Sequence, residues 1–426
     1  MSSATIRLDL YRLLLSVSEA LDVVSRPLVN HHRQVSYVAF HLGKAAGVTS
    51  QELTELTLAA ALHDIGGLSL ASRLDVLDFD LATPERHTLP GYLLLKKFPP
   101  FAAIATLTRF HHLPWDDGAG AEYDGEPVSR AAHLLHLADR VAILLRPDTE
   151  ILGQTATVLE RIEARSGSKF MPAAVEALRE VASREAFWFD LATPSVCETV
   201  IGAQLSGIAA DSADLNDLAQ MFRQIIDFRS HFTATHSKGV AAVAPWIADK
   251  AGFSPAACER TQIAGLLHDI GKLVVPQELL EKSDPLSAED FYIIRKHPYF
   301  SHRILSQVAD LEEISQWAAF HHERLDGTGY PFHLDDAHLP MGARLLAVAD
   351  TFTALTETRP YRASMSSRGT LQAMEGMVRA GKLDSSLYGL LHDHADEVDA
   401  LRADAQHAAL AEHRTFLADW AALGPR

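Results

Sequence analysis

The sequence is short of cysteine, of long apolar runs and of positive charge. Its two cysteines in 426 residues, Cys197 and Cys258, can build neither a disulfide framework nor a cysteine-type zinc site. No apolar run approaches the roughly 18 residues that a membrane helix needs. The N-terminal segment carries Asp9 and Arg12 within its apolar pattern, so it is not a signal peptide. These features predict a reducing, cytoplasmic location and no membrane span.

The charge balance excludes two classes of partner. The formal net charge is −17, which argues against a nucleic-acid polymer or an anionic membrane as the main partner. If the ligand is an anion, a local site must attract it, built from metal ions and a few well-placed Lys or Arg residues. The sequence leaves open whether the protein forms a homodimer.

Strand-type alternation and hairpin turns are also missing, whereas helical periodicity dominates the chain. Helix starts are recognisable along its length. Thr49 to Glu52 is a capping-box pattern, and the pairs Thr83-Pro84 and Ser254-Pro255 are typical of an N-cap followed by proline at the first helical position. The predicted fold class is all-α.

The chain contains two copies of one pattern. The segment Ala60–Gly66 returns as Gly265–Gly271, with 205 positions between His63 and His268. Further histidines and aspartates recur in the same order at nearly constant offsets. The repeat predicts two tandem domains of the same type, 1–205 and 216–426, joined by an Asp-, Ser- and Ala-rich linker at 206–215.

Histidine is abundant, with 22 in the chain, and the repeat places many of them in an ordered series with aspartates. The series in the second copy is His236, His268, Asp269, His297, His321, His322 and Asp350. Five imidazoles and two carboxylates exceed the about four to six ligands of one ion and suit two ions, with Asp269 as the bridge. Two such ions can clamp the attacking and leaving oxygens of a phosphoryl transfer. Mixed imidazole and carboxylate ligands favour iron or manganese over magnesium, with nickel, cobalt and zinc also admitted.

A second feature lies directly beside this series. His322 is followed by a glycine-rich turn in which Gly327 and Gly329 permit positive φ or a close backbone approach. Tyr330 offers a flat face to a nucleotide base. Arg359 and Arg362 follow Asp350 by just over two helical turns, and their guanidinium groups either grip phosphate oxygens or form surface ion pairs.

The segment from about Asp227 to Asp384 resembles the HD-GYP subclass of the HD phosphohydrolases. The motifs that carry the resemblance are Leu267–Lys272, Lys296–Pro298, His321–Pro331, Val348–Asp350 and Arg359–Arg362. The resemblance implies metal-dependent hydrolysis of a 3′,5′-cyclic dinucleotide, either cyclic di-GMP or 3′,3′-cyclic GMP-AMP, to the linear dinucleotide or to mononucleotides.

The resemblance also implies a role for each matching residue. The seven histidines and aspartates would bind metal, and His268, Asp269 and Lys272 would form the catalytic centre. Lys272, Arg359 and Arg362 would hold the substrate phosphates, and Gly329 and Tyr330 would line the base pocket.

Three positions depart from the family pattern. Phe232 stands where three-metal members have a glutamate, so we expect two metal ions in this domain. Ser301 replaces a glycine, and Thr353 replaces an aspartate. None of these positions is a ligand of a two-metal site.

The first copy keeps the ligand series but lacks the lysine and the glycine-rich turn of the second copy. Its members are His31, His63, Asp64, His87, His111, His112 and Asp139. The Lys272 position is Gly67, and a different segment, Leu113–Gly118, replaces the glycine-rich turn. Because the ligands are kept selectively, we expect one or two further ions here. The copy is then a nucleotidase acting on the linear product, or a pseudo-domain that stabilises its neighbour.

Two other functions are compatible with the same residues. One is a cyclic-dinucleotide receptor that signals through a partner and turns over slowly. The other is an HD phosphohydrolase acting on a different nucleotide. The intact ligand series and Lys272 favour the cyclic-dinucleotide phosphodiesterase.

Overall fold

The computed structural model describes residues 9–23, 29–205, 212–230, 233–357 and 364–424. The chain divides into two compact units. Of the described residues, those from 9 to 205 and from 420 to 424 form the N-terminal unit, and those from 212 to 419 form the C-terminal unit. Residues 206–211 lie outside the described residues, and a helix already begins at Ser212.

Helices account for most of the N-terminal unit. In chain order they are α1 (Leu10–Asp22), α2 (His31–Ala45), α3 (Ser50–Leu62), α4 (Leu70–Asp75), α5 (Glu85–Leu95), α6 (Ala102–Phe110), α7 (Arg130–Leu144), α8 (Leu152–Glu163), α9 (Pro172–Ala182), α10 (Glu185–Leu191) and α11 (Pro194–Leu205). Its core forms where α2 packs against α3 and α7.

The C-terminal unit repeats this helical architecture. Its helices are α12 (Ser212–Asp227), α13 (His236–Lys250), α14 (Pro255–Leu267), α15 (Gln277–Leu280), α16 (Ala288–Ile294), α17 (His297–Leu305), α18 (Glu312–Ala319), α19 (Met341–Thr356), α20 (Ser367–Arg379), α21 (Ser385–Asp393) and α22 (Ala395–Leu423). Here α13 packs against α14 and α19, as α2 packs against α3 and α7. Fully buried apolar residues such as Val240, Leu266 and Val348 fill the interface, and each contributes about 1.5–3 kcal/mol by leaving water.

Most of the predicted helix starts are present. Thr49 and Glu52 form a reciprocal capping box on α3, and the Ser254 side chain accepts a hydrogen bond from the backbone of Ala257. Thr83 was expected to cap α5, but Pro84 occupies the N-cap position and no side chain caps this helix. Proline has no N–H to leave unpaired, so the helix start tolerates the missing cap.

A minimal β-ribbon departs from the expectation that hairpins are absent. Strands β1 (Glu122–Tyr123) and β2 (Glu126–Pro127) pair antiparallel in the N-terminal unit. Asp124 and Gly125 turn the chain with φ of 53° and 82°. An Asp-Gly pair is the usual signal for such a turn, and the flanking strands are too short to show alternation.

The described helices include none that is long and apolar enough to cross a membrane.

One glycine in each unit is required by a close backbone approach. A Cβ atom on Gly271 would lie 1.9 Å from the carbonyl oxygen of His297. A Cβ on the equivalent Gly66 would lie 2.0 Å from the carbonyl oxygen of His87. The glycine after each His-Asp pair thus lets the next ligand helix approach the pair.

We expect Gly271→Ala to destabilise the C-terminal unit by about 1–3 kcal/mol, because backbone atoms cannot yield as a flexible side chain can. Differential scanning calorimetry measures the effect. The control is Gly389→Ala in α21, where an added Cβ meets no atom within 4 Å. That change should be neutral or slightly stabilising. Equal melting temperatures for the two variants would contradict the packing argument.

Candidate metal centres

The predicted ligands of the C-terminal unit all lie at or near helix ends, except for Asp350, which lies inside α19. His236 and His297 begin α13 and α17, and His268 and Asp269 follow the last residue of α14. His321 and His322 follow α18. The structure brings these residues together, since His297, His321 and His322 form one compact group and His236, His268 and Asp350 form another.

Asp269 lies between these groups. Its Oδ1 is 3.3 Å from Nε2 of His297, and its Oδ2 is 3.3 Å from Nε2 of His268. The Nε2 atoms of His297 and His321 are 3.4 Å apart. Each carboxylate oxygen of Asp269 therefore faces a different imidazole, an arrangement that would allow it to bridge two ions.

Asp350 completes the other side of the cluster. Its Oδ1 is 3.0 Å from Nε2 of His236 and 3.9 Å from Nε2 of His268. Its Oδ2 is 4.0 Å from Nδ1 of His322. The two aspartates and the imidazoles thus enclose a common centre.

Backbone hydrogen bonds fix the orientation of three of these rings. Nδ1 of His268 donates to the carbonyl of Gly265 at 2.8 Å, and His297 and His321 donate in the same way to the carbonyls three residues before them, at 2.7 and 2.6 Å. A ring that donates from Nδ1 leaves the Nε2 lone pair free as a ligand. Helix geometry therefore points all three Nε2 atoms at the centre.

The chemistry of this donor set fits a divalent transition metal. Nε2 of His268 is buried and makes no hydrogen bond among the described residues. Burial lowers the pKa of His297 to about 3 and that of His321 to about 4, so both rings are neutral at pH 7. Burial alone would raise the pKa of Asp269, but the neighbouring His268 and Lys272 hold it well below its usual range. Neutral imidazoles beside ionised carboxylates are the protonation states that bind metal.

Sequence reasoning missed a chain of residues behind His236. Nδ1 of this ring hydrogen-bonds the buried carboxylate of Glu357 at 2.9 Å. The other oxygen of Glu357 accepts from Gln406, whose own side-chain oxygen accepts from Arg402. A carboxylate behind a ligand histidine orients the ring and raises its basicity. Nothing in the sequence links Glu357 to α22, because the two lie 49 positions apart.

The glycine-rich turn lies directly beside the cluster. Gly327 has φ of 73°, and Gly329 passes so close to the backbone of Glu323 that a Cβ would lie 2.4 Å from its Cα. The buried Glu323 carboxylate, which sequence reasoning also missed, accepts hydrogen bonds from the backbone of Phe332 and Leu334 at 2.7 and 3.1 Å. The turn holds the ring of Tyr330 at 4.9 Å from that of His322.

Lys272 and Ser301 also lie at the centre. The Lys272 ammonium pairs with Oδ2 of Asp269. Ser301 accepts from the backbone N–H of Gly271 at 2.9 Å and donates to the carbonyl of His268 at 2.7 Å. The serine that departs from the family pattern therefore braces the His-Asp turn. Arg359, Arg362 and Phe232 lie outside the described residues.

The N-terminal unit gathers its ligand series in the same way. Oδ2 of Asp64 is 3.3 Å from Nε2 of His63, and its Oδ1 is 3.3 Å from Nε2 of His87. Nε2 of His31 is 3.4 Å from Oδ1 of Asp139. The remaining members, His111 and His112, complete groups with Asp64 and His87. Oδ1 of Asp64 and Oδ1 of Asp139 are buried and make no hydrogen bond among the described residues, so this donor set also fits a metal ion.

A buried arginine distinguishes the N-terminal centre. Arg140 donates from Nε and Nη2 to Oδ2 of Asp139 at 3.0 and 2.7 Å, and its remaining donors reach the carbonyls of Val76, Asp78 and Phe79. All of its hydrogen-bonding capacity is used inside the protein. Arg140 therefore supports Asp139 and is not available to a substrate.

Comparison with known families identifies both units. Residues 28–144 and residues 220–387 each match an HD domain. A solved cyclic GMP-AMP specific phosphodiesterase of Vibrio cholerae has the same fold, with a TM-score of 0.60 and 22% identity over 95% of this chain and 98% of that one. The predicted all-α fold with two tandem HD-type domains is confirmed.

Three curated proteins show the relationship in sequence. The chain is 31% identical to 3′3′-cGAMP-specific phosphodiesterase 1 of V. cholerae over 88% of its own length and 89% of that protein. It is 27% identical to 3′3′-cGAMP-specific phosphodiesterase 3 of the same organism, over 88% and 92%. A cyclic di-GMP phosphodiesterase of Thermotoga maritima is 34% identical over 35% of this chain and 41% of that protein. The chain therefore belongs to the HD-domain phosphodiesterases of HD-GYP type, as a member with two HD domains.

Proposed function

We propose that the C-terminal unit is a metal-dependent phosphodiesterase that opens a cyclic dinucleotide, with 3′,3′-cyclic GMP-AMP as the preferred substrate. The observation that carries the proposal is the buried cluster around Asp269, with Lys272 and Tyr330 beside it. The preference for cyclic GMP-AMP follows the two relatives that match both units, since the cyclic di-GMP relative aligns with about a third of the chain.

The cluster would hold two divalent ions, iron or manganese preferred, and Asp269 lies where it could give one oxygen to each. When bound, such a pair supplies an activated water and the positive charge that phosphodiester hydrolysis needs. The donor set supports two ions, because seven donors exceed the usual coordination of one ion.

The residues of the chain position and neutralise the reacting phosphate. The Lys272 ammonium would neutralise the negative charge that develops on the phosphoryl oxygens. The ring of Tyr330, fixed beside His322, presents a face to a base. The water oxygen forms a new bond to phosphorus, the bond to the 3′ oxygen breaks, and that oxygen takes up a proton. The product is the linear dinucleotide with a 5′-phosphate.

We also propose that the N-terminal unit removes the terminal phosphate of this linear product. The supporting observation is the pair of buried oxygens on Asp64 and Asp139 that make no hydrogen bond among the described residues. A buried carboxylate oxygen without a hydrogen bond is costly, and a cation bound at this centre would offset that cost.

Product analysis tests the first proposal. Protein loaded anaerobically with iron(II) or manganese(II) should convert 3′,3′-cyclic GMP-AMP to its linear form faster than it converts cyclic di-GMP. A His268→Ala/Asp269→Ala variant should yield no product, because it lacks the bridge and one ring of the cluster. Chromatography with mass detection measures both. Metal-loaded protein that binds but cleaves neither substrate would point to a receptor.

A second prediction concerns the carboxylate behind His236. Glu357→Ala should weaken the affinity for one ion about 10- to 100-fold, because the ring loses its orienting partner. Activity at saturating metal should recover, which a general folding defect would not allow. Titration of apo-protein with manganese(II), followed by activity, gives both values. The control is Glu375→Gln, an exposed carboxylate on α20 that pairs with Arg379 at 3.0 Å. Unchanged metal affinity in Glu357→Ala would refute the orienting role.

The third prediction separates the two units. His63→Ala/Asp64→Ala should abolish phosphate release from the linear dinucleotide and leave cleavage of the cyclic substrate unchanged, because the C-terminal unit has its own ligands. A phosphate-release assay and product chromatography on the same sample measure both steps. Phosphate release at the rate of the unaltered protein would rule out a nucleotidase at this centre.

A further inference from the structure

A cavity lies beside the metal centre of the N-terminal unit. His112, one of the clustered histidines, lines it, as do Arg109, Phe110 and Tyr123. The cavity thus connects the metal centre with a group of aromatic and cationic side chains.

Arg109 is the most informative of these residues. Aromatic rings surround its guanidinium, which lies 4.9 Å from the ring centre of Phe110, 5.1 Å from that of Tyr92 and 5.8 Å from that of Tyr123. No described carboxylate forms an ion pair with it. A guanidinium held by rings and lacking a counter-ion is well suited to bind an anion.

Arg109 lies close in sequence to the ligand series of the metal centre. Arg109 is in the last turn of α6, and His112 follows three positions later, beside the end of the helix. Arg109 and His112 both line the cavity, so one ligand in it can contact both side chains.

The other lining residues suit the remainder of a nucleotide. The rings of Phe110 and Tyr123 lie 5.4 Å apart, and the Tyr123 side chain is 47% exposed, which leaves ring surface for a base. The carboxylates of Glu85 and Asp124, also on the wall, can accept hydrogen bonds from ribose hydroxyls or from base N–H groups.

The C-terminal unit lacks this arrangement. Its residue equivalent to Arg109 is Ala319, whereas its own cation, Lys272, is replaced by Gly67 in the N-terminal unit. The two centres therefore share their ligands and differ in where they place positive charge.

We propose that this cavity is a recognition site for a linear nucleotide with a terminal 5′-phosphate, in which Arg109 binds the phosphate and Tyr123 stacks on a base. This proposal rests on the nucleotidase function proposed for this unit in one respect, since that function supplies the identity of the ligand. It adds the residues that recognise that ligand.

Binding is tested on the full chain carrying Asp269→Ala, which removes turnover at the C-terminal centre. The probe is linear ApG with a 5′-phosphonate in which CH₂ replaces the bridging oxygen, and ApG without the phosphonate is the comparison. Isothermal titration with manganese(II)-loaded protein should show tight binding of the phosphonate only. Arg109→Ala should weaken that binding about tenfold to a hundredfold, and Tyr123→Ala about tenfold. Arg109→Lys should retain part of the affinity, because lysine keeps the positive charge but cannot form the two parallel hydrogen bonds of a guanidinium group.

The control variant is Arg179→Ala, an exposed arginine of the same unit that pairs with Glu163 and Glu176. It should bind the phosphonate unchanged. Failure of the starting protein to bind the phosphonate, or equal affinity in Arg109→Ala, would overturn the proposal.

Phosphate release from authentic linear dinucleotide separates the two ideas. If the ligand binds in an Arg109-dependent way but releases no phosphate, the recognition site stands and the nucleotidase fails. If phosphate is released with the same kcat/KM in Arg109→Ala, the nucleotidase stands and the recognition site fails.

Discussion

Ionised carboxylates buried among imidazoles are the constraint on which both units depend. Asp269 is 3% exposed and Asp350 is 7% exposed, and an isolated charge at that depth costs several kcal/mol. A bound cation would offset that cost, because the carboxylate oxygens and the Nε2 lone pairs of the surrounding rings face one another across the centre. Backbone carbonyls of the preceding helical turn impose this orientation on His268, His297 and His321. The positions of the helix ends therefore determine the geometry of the centre.

The two units show how one ligand frame can serve two centres. The C-terminal unit pairs Lys272 with Asp269, whereas the N-terminal unit has Gly67 at the lysine position and uses Arg140 to support Asp139. The donors of Arg140 are all used in internal hydrogen bonds, so Arg140 cannot bind a ligand. Arg109, in contrast, lies at the cavity wall. Charged residues that do not orient the clustered histidines can therefore differ between the two units.

Much of the candidate sites could be predicted from the sequence because the ligands occur in fixed order on helix ends. The supporting residues could not be predicted. Glu357 and Gln406 meet only when α22 packs beside α19, and an isolated Glu or Gln resembles an ordinary surface residue. Glu323 presents the same difficulty, because its partners are backbone N–H groups of Phe332 and Leu334 beyond the glycine-rich turn. Contacts between distant segments leave no periodic signal.

The sequence by itself determined the helical class, the internal repeat and the two ligand series, because helical periodicity and residue spacing are local properties of the chain. Tertiary structure alone decided which oxygen of Asp269 faces which imidazole, that Ser301 braces the turn after His268, and that Arg109 faces a cavity beside His112. These depend on the distances between helices that are far apart in sequence. Such distances are fixed only when the cores pack and the buried polar groups find their partners.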